Sequence, residues 1–502
     1  MRNEAHGQVK TPGRAERSEI VPAESDNCRT QTQEHKIAPA SRLRSPRSGI
    51  PAPGRDSYLI CGGMDSDNSK KKFFLLFTVT FTFLFLLTMN IPRTNPSLPP
   101  PWRPQPICPS SVSEETITPL VDTKHLLLSA YVDQRVKGFD LRIIGIFKRD
   151  SIRPLYCRFC CTTRISSTTP ATIIQHSDNF GFPYTTTDVL CQIPDRCRAT
   201  HVALLTDRRQ VFNQTWLPIR NRAEERKLQF NFTVCISTLF GGYNNVLQVA
   251  QSLEMYRLLG VGRVVIYNTN CGPDLERLLQ GYVQEGFVEM VPWPIDKHLV
   301  PSTGWLFSRS GGDVHYFGQQ ATLNECIYRS MERSRYVLLN DIDEIAMPYK
   351  YDNLTTLMEN LQKYNPRVGV FLIENHIFPK IHFESSGKFH LPQWEGIPGV
   401  NILEHIFKEE PDRSQYHPHK MIVQPRMVEQ TSVHEVLKNF GQRYNVPQDV
   451  CRLIHVRVPM RGNLKLEELT VDTRLWAFSK KMIPNVDKAL KRAGLLSPEG
   501  QS

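Results

Sequence analysis

The sequence predicts an α/β protein: a Rossmann-like domain with a parallel sheet, a small β-rich domain before it, and a single transmembrane helix before both. Three observations carry this. Residues 73–89 (FFLLFTVTFTFLFLLTM) hold no charge and follow Lys70-Lys71-Lys72. Residues 117–228 show short β-like runs separated by turns. From residue 229, apolar strands alternate with segments at helical spacing, the signature of βαβ units.

The 502 residues are enough for two or three domains, and 40% hydrophobic residues suffice for ordinary cores. A net charge of +11 raises nucleic acid as a partner. Before Phe73, however, 13 Lys/Arg stand against 9 Asp/Glu, which places part of the excess in an amino-terminal tail. No basic stripe interleaved with aromatics follows, so nucleic acid is excluded.

Residues 1–72 read as a disordered cytoplasmic tail, rich in Arg, Ser, Pro and Glu without apolar periodicity. Residues 73–89 read as a signal-anchor span, too far from the start for a cleaved signal peptide. Arg55 and the three lysines precede it, against Arg93 and Arg103 beyond it, so the amino end stays cytoplasmic and the rest is lumenal. The span is short, which suits the thinner membranes of the early secretory pathway. Residues 90–116 form a proline-rich stem.

Of twelve cysteines, ten follow the span. Cys157-x-x-Cys160 with Cys191 and Cys197 would suit zinc in the cytosol; lumenal placement favours disulfides. Sequons at Asn213, Asn231 and Asn353 fit the same compartment. The β-rich domain, 117–228, is expected to carry strands at 125–131, 141–147 and 200–205, and nothing in it looks catalytic.

The domain at 229–495 opens with a strand at 231–237. Val246, Val249, Ala250, Leu253 and Tyr256 then mark a helix closed by Gly260. A strand at 264–267, a helix marked by Leu275, Leu278, Leu279 and Tyr282, and a strand at 287–291 complete βαβαβ, which predicts a parallel sheet with right-handed crossovers. Leu323, Cys326, Ile327 and Met331 form the inner face of the next helix. It leads into Tyr336-Val-Leu-Leu-Asn-Asp341-Ile-Asp343-Glu344.

Here an apolar strand meets three carboxylates in four residues, a repulsion that asks for a cation. In Asp341-x-Asp343, strand periodicity predicts both side chains on one face, where hard oxygens share a divalent ion that also holds a diphosphate. That is nucleotide-sugar chemistry. No Gly-x-Gly-x-x-Gly follows the first strand and no Gly-x-x-x-x-Gly-Lys occurs, so hydride transfer and P-loop phosphoryl transfer lose their support. Gly311-Gly312 reads as a flexible loop. A strand at 369–373 ends at Glu374, and of the histidines beyond it His434 and His455, beside apolar runs, are candidate additional metal ligands.

The chain from Phe232 to about Arg457 resembles glycosyltransferase family 92. The resemblance rests on Val234-Cys235-Ile-Ser237, Tyr256-Arg-Leu-Leu-Gly260, Asn324-Glu-Cys326, Asp341-Ile-Asp-Glu344, Lys420-Met-Ile-Val423-x-Pro425, His434 and His455. Ser129-Ala-Tyr131-x-Asp133-x-Arg135 resembles the family's upstream segment. Glu325 and Val456 depart from it, where the family pattern has Asn-Asp-Cys and His-Tyr-Arg; Val456 costs an aromatic expected near the metal site. The resemblance implies a GT-A fold and a galactosyltransferase of the Golgi membrane, which extends galactose-terminated glycans of glycoproteins in β-1,4 linkage from UDP-galactose.

On that reading Asp341 and Asp343 hold Mn²⁺ against the diphosphate, with Asp341 also counted among the donor-binding residues. Ser237, Thr238 and Asn268 line the nucleoside pocket. Glu374, with Glu395 as substitute, is the base of an inverting transfer, and Glu344 serves catalysis or holds neighbouring backbone or acceptor. The rival readings are a lectin-like glycan-binding protein on an inactive transferase fold, and a glycosidase, for which no second carboxylate at the needed separation is specified.

Overall fold

The structure is a computed structural model and describes residues 112–162, 164–210, 214–222, 228–414, 417–459, 462 and 464–496. The tail, the span at 73–89, most of the stem and the Asn213 sequon lie outside these. Among the described residues no helix is long and apolar enough to cross a membrane.

Strands β1 (Thr118–Pro119), β2 (Leu126–Val132), β3 (Leu141–Lys148), β4 (Tyr156–Cys161), β5 (Ile165–Gln175), β6 (Tyr184–Cys191), β7 (Ala199–Leu205) and β8 (Trp216–Pro218) form an eight-stranded antiparallel sheet. Its order is β1-β2-β3-β6-β5-β4-β7-β8. Alternation along β3 sends Ile143 and Phe147 into this sheet's own core and Ile144 and Ile146 into a second core shared with the next domain. That double burial explains why the strand reads as a nearly continuous apolar run. Disulfides Cys157–Cys191 and Cys161–Cys197 staple it.

The following domain runs β9 (Phe230–Leu239), α1 (Val246–Leu258), β10 (Arg263–Asn268), α2 (Pro273–Gln284), β11 (Val288–Pro292), α3 (Phe307–Ser310), α4 (Gln319–Ser330), β12 (Ser334–Asn340), β13 (Glu344–Pro348), α5 (Leu354–Tyr364) and β14 (Val368–Pro379). After these come β15 (Phe407–Lys408), β16 (His419–Val423), β17 (Val428–Thr431), β18 (Val436–Asn439), β19 (Gln442–Asn445), β20 (Cys451–Arg457), β21 (Thr470–Val471) and α6 (Ser479–Arg492). Gly260 follows α1 at φ +88°, the left-handed stop that the sequence predicts.

Nine of these strands make one mixed sheet in the order β11-β10-β9-β12-β16-β14-β20-β13, with β19 beside β14. From β11 to β12 all pairs are parallel. The chain winds outward from β9 through β10 to β11, then returns to β12 on the other side of β9. The β9–β12 boundary is therefore a topological switch point, where open α/β sheets bind ligands.

Helix α4 lies between the two sheets, and Cys235–Cys326 ties it to β9. Its Glu325 is buried at the junction. The carboxylate accepts from Ser129 Oγ (2.8 Å) and Tyr131 Oη (2.6 Å) of β2, from Tyr267 Oη of β10, and from Arg329 (2.9 and 3.0 Å). Five donors more than offset its burial.

Candidate active site

Strand β12 stops at Asn340, and Asp341-Ile342-Asp343 is a turn rather than the continuing strand that Asp-x-Asp periodicity predicts. Its backbone is locked from both ends. Glu344 N donates to Asp341 O (3.3 Å), Asp341 N donates to Glu344 Oε2 (3.1 Å), and Asn340 Nδ2 donates to Glu344 O (2.8 Å). From beneath, Gln248 of α1 donates to Asp343 O (3.3 Å) and Val456 O (3.1 Å). Ile342 is packed into the core. One apolar anchor between two carboxylates thus leaves both aspartates at the surface of a cleft.

That cleft has a volume of about 310 Å³ and lies at the switch point. Ser237 to Phe240 at the end of β9 form one wall and the Asp341–Asp343 turn another, with Tyr243, Tyr316, Gln319, His455 and Arg457 completing it. Among the predicted residues, the fold brings Ser237, Thr238, Asp341, Asp343 and His455 together here.

The carboxylates already have internal cations. Lys420, 3% exposed, places Nζ 2.6 Å from Asp341 Oδ2 and 3.5 Å from Glu344 Oε2. Burial alone would lower the ammonium, yet Asp341 and Glu344 outweigh it and hold Lys420 above its ordinary value. His455, opposite Glu344 in the β13–β20 pair, sets Nδ1 3.2 Å from Glu344 Oε1 and Nε2 3.3 Å from Asp343 Oδ2. Burial opposes its charge, and those two carboxylates raise it nonetheless. Asp343 is lowered in turn: burial works against ionisation, but His455 prevails. Glu344 is raised, by burial first, with Lys420 pulling the other way.

Asp341 and Asp343 remain 34% and 31% exposed. Two accessible carboxylates in a cleft are a donor set that fits a hard divalent ion completed by phosphate and water. Among the described residues no three His, Cys, Asp or Glu side chains converge as a ready-made cage. His455 faces carboxylates through both nitrogens, which favours an imidazolium that donates twice over a neutral metal ligand. His434 lies beside the cleft rather than in its lining: its Nδ1 meets His419 O (3.1 Å) and its ring stacks on Trp305 at 5.3 Å. Burial, then Lys420, lowers it to about 4, so it is neutral.

The cleft holds buried polar atoms without protein partners, Thr238 Oγ1 and Gln319 Oε1, while Gln319 Nε2 bridges Ser237 Oγ (2.9 Å) and Asp341 Oδ1 (3.1 Å). Asn268 Oδ1 is also unpartnered, but Asn268 is not among the cleft-lining residues. Glu374 is placed elsewhere: both its oxygens face Arg413 at 3.1 and 3.2 Å. Glu395 is exposed after the turn Pro392–Trp394, and neither glutamate lines the cleft. Glu344 braces the turn from inside and is 1% exposed.

Sequence reasoning missed Gln319, Tyr316 and Arg457 and gave Lys420 no role. Arg457 had a signal, since on β20 it stands two residues from His455 and so shares its face. The same alternation turns Val456 into the core. The aromatic expected at that position therefore has no place in the cleft.

An acidic turn at the switch point of an α/β sheet defines a class, enzymes and binding proteins that hold phosphorylated ligands at a sheet edge. Residues 230–493 match the model of Glycosyltransferase family 92, just over half of the chain, and the chain belongs to that glycosyltransferase family. It is similar to "Beta-1,4-galactosyltransferase galt-1" of Caenorhabditis elegans, 22% identical over 235 residues, 45% of this chain and 52% of the relative. It is also similar to "Glycosyltransferase family 92 protein F13G3.3" of the same organism, 24% identical over 235 residues, 45% of this chain and 42% of the relative. The chain thus spans about half the length of the curated relatives it matches.

Among solved structures it is similar to S. aureus TarS 1-349 (TM-score 0.23, 13% identity, 39% of this chain and 48% of that one). A second is the mannosyltransferase PcManGT from Pyrobaculum calidifontis in complex with GDP-Man and Mn2+ (TM-score 0.25, 12% identity, 56% and 79%). Scores this low carry no weight for the site.

Proposed function

We propose that the chain is a GT-A-type transferase that moves galactose from UDP-galactose, with inversion, onto the terminal galactose of glycoprotein glycans in β-1,4 linkage. We place it in the Golgi membrane as a single-pass type II protein with the cleft lumenal. The observation that carries the enzymatic reading is the cleft itself: two accessible carboxylates and a guanidinium surround unpartnered Thr238 Oγ1 and Gln319 Oε1 at the switch point. Family membership and the name of the nematode galactosyltransferase relative support the chemistry and the sugar.

Asp341 and Asp343 would hold the divalent ion, Mn²⁺ on this reading. When bound, such an ion draws off negative charge from the diphosphate and eases departure of the nucleotide. His455 keeps Asp343 ionised for that task, and Lys420 pairs with Asp341 from below. Arg457, without an ion-pair partner among the described residues, presents donors to phosphate oxygens, where charge-assisted hydrogen bonds strengthen as the leaving group gains charge. Thr238 and Gln319 offer their free oxygens to nucleoside hydroxyl or amide donors.

The lectin-like alternative drew on the missing aromatic at Val456. With Val456 in the core, that support is gone. Incubating the full chain with a panel of UDP-sugars, Mn²⁺ and galactose-terminated N-glycans is expected to release UDP fastest from UDP-galactose and to lengthen the glycan by one hexose. No UDP release from any donor would refute the enzyme. Protease added outside intact microsomes should spare the bulk of the chain; its digestion would reverse the orientation.

A further inference from the structure

Beside the cleft stands an aromatic cluster that the donor chemistry does not use. Trp305, Leu306 and Phe307 are 40%, 42% and 42% exposed, the only three consecutive large apolar residues so exposed among those described. They sit at the start of α3, on a segment closed by the Pro301–Val314 bridge. Trp305 packs on His434 (5.3 Å, 21°), His315 (4.8 Å), Tyr316 (5.8 Å) and the edge of Phe180 (5.6 Å). Tyr316 lines the cleft and meets Phe240, another lining residue, edge to face at 5.4 Å. The rings therefore run without interruption from the cleft to the surface.

Two further observations mark this cluster as more than packing. Of the five non-glycine residues with positive φ among those described, three belong to it: Phe180 (52°), Tyr316 (39°) and Phe317 (53°). Such backbone costs on the order of 1 kcal/mol or more per residue and concentrates at ligand sites. The neighbours that enforce it are Trp293 Nε1, which donates to Phe317 O (2.8 Å), and Phe240, stacked on Phe317 at 4.1 Å. Secondly, His315 is 5% exposed, wedged against Phe180 at 3.9 Å, and neither ring nitrogen has a protein partner. A buried imidazole left unpaired beside exposed rings calls for a ligand that brings hydroxyl groups with an apolar face. A pyranose has both.

We infer that the shelf of Trp305, Tyr316 and His434 is the acceptor subsite, where the terminal sugar ring of the glycan stacks before transfer. This rests on the transferase reading of the cleft. An apolar ring face lies on the shelf with its hydroxyls toward the cleft, and a shift of the Trp305 segment lets one of them reach the enclosed nitrogens of His315.

The test compares wild type, Trp305→Ala and Trp305→Phe in the full chain. Trp305→Ala is expected to raise KM for a galactose-terminated oligosaccharide about tenfold, with KM for UDP-galactose within about twofold and Trp305→Phe recovering most of the loss. Equal effects on both KM values, or none, overturn the subsite. Equilibrium binding of the radiolabelled oligosaccharide without donor separates the two readings. If wild type transfers nothing yet binds the sugar, and Trp305→Ala abolishes binding, the shelf stands and the transferase reading fails. If Trp305→Ala binds the sugar as wild type does, the shelf falls.

Discussion

Two buried charge clusters, one at the β-rich sheet and one at the mixed sheet, use the same ingredients to opposite ends. In the first, Arg142 is fully buried and pairs with Asp133 (2.9 Å), Asp188 (2.5 Å) and Glu429 (3.0 Å), and His176 and Gln430 reach the same Asp188 oxygen at 3.0 and 2.8 Å. In the second, Lys420 pairs with Asp341 while a third of that carboxylate still meets solvent, and Thr238 and Gln319 keep unused acceptors. Arg142 and its carboxylates saturate one another behind protein. The Lys420 cluster is open on one side. A cluster whose charges all meet one another, with only His176 Nδ1 left over, holds a fold together; one with accessible carboxylates and spare acceptors waits for a ligand.

The largest expected effect breaks the closed cluster. Arg142→Ala leaves Asp133 and Asp188 buried with too few partners and should cost about 3–5 kcal/mol, read as a fall in the denaturant midpoint or loss of folded protein. A variant as stable as wild type would show the cluster to be ornamental. Next is the open cluster: Asp343→Ala should fold and accumulate normally while transfer falls at least about 100-fold, so wild-type rates would refute the carboxylate's role. Arg457→Ala should lower kcat/KM about tenfold or more with no change in thermal midpoint, and a change in the midpoint alone would make the residue structural. Val456→Tyr, an overpacking of the core, should cost about 1–3 kcal/mol and leave activity per folded molecule unaltered; a gain in kcat would return position 456 to the cleft.

Acid sharpens the contrast. Asp188 and Glu325 are both held down at about 2, against ordinary values of 3.8 and 4.5: burial pushes each up, and His176 with Arg142, or Arg329 with its hydrogen bonds, overrides it. Depressed carboxylates contribute stability that is complete above their ordinary values and is lost as pH falls through 4.5 towards 2. The thermal midpoint should decline over that window, and Glu325→Gln should flatten the decline.

The strand and helix order from 229 to 340 was legible because each element buries a periodic apolar face, and the switch point follows from that order. What lies beyond is set by pairings distant in sequence. Nothing near Lys420 says that β16 runs antiparallel to β12 and delivers its ammonium to Asp341. Strand periodicity suggested two aspartates on one face, whereas mutual repulsion and the Ile342 anchor make a turn. The strand expected to end at Glu374 runs on to Pro379, and Glu374 in its middle meets Arg413, a partner set by a loop nearly forty residues away. Histidine type alone could not separate His455, clasped by two acids, from His434, stacked on a ring. The upstream Ser129 and Tyr131 gained their meaning only through Glu325.

The Cys235–Cys326 bond joins β9, which carries Ser237, to the helix that begins with Gln319, two residues already linked across the cleft wall. The geometry of that wall therefore depends on oxidation. Material made in a thiol-rich cytosol would lack that tether, so recombinant production belongs in an oxidising compartment, and a preparation that loses activity in dithiothreitol need not have lost a single catalytic group.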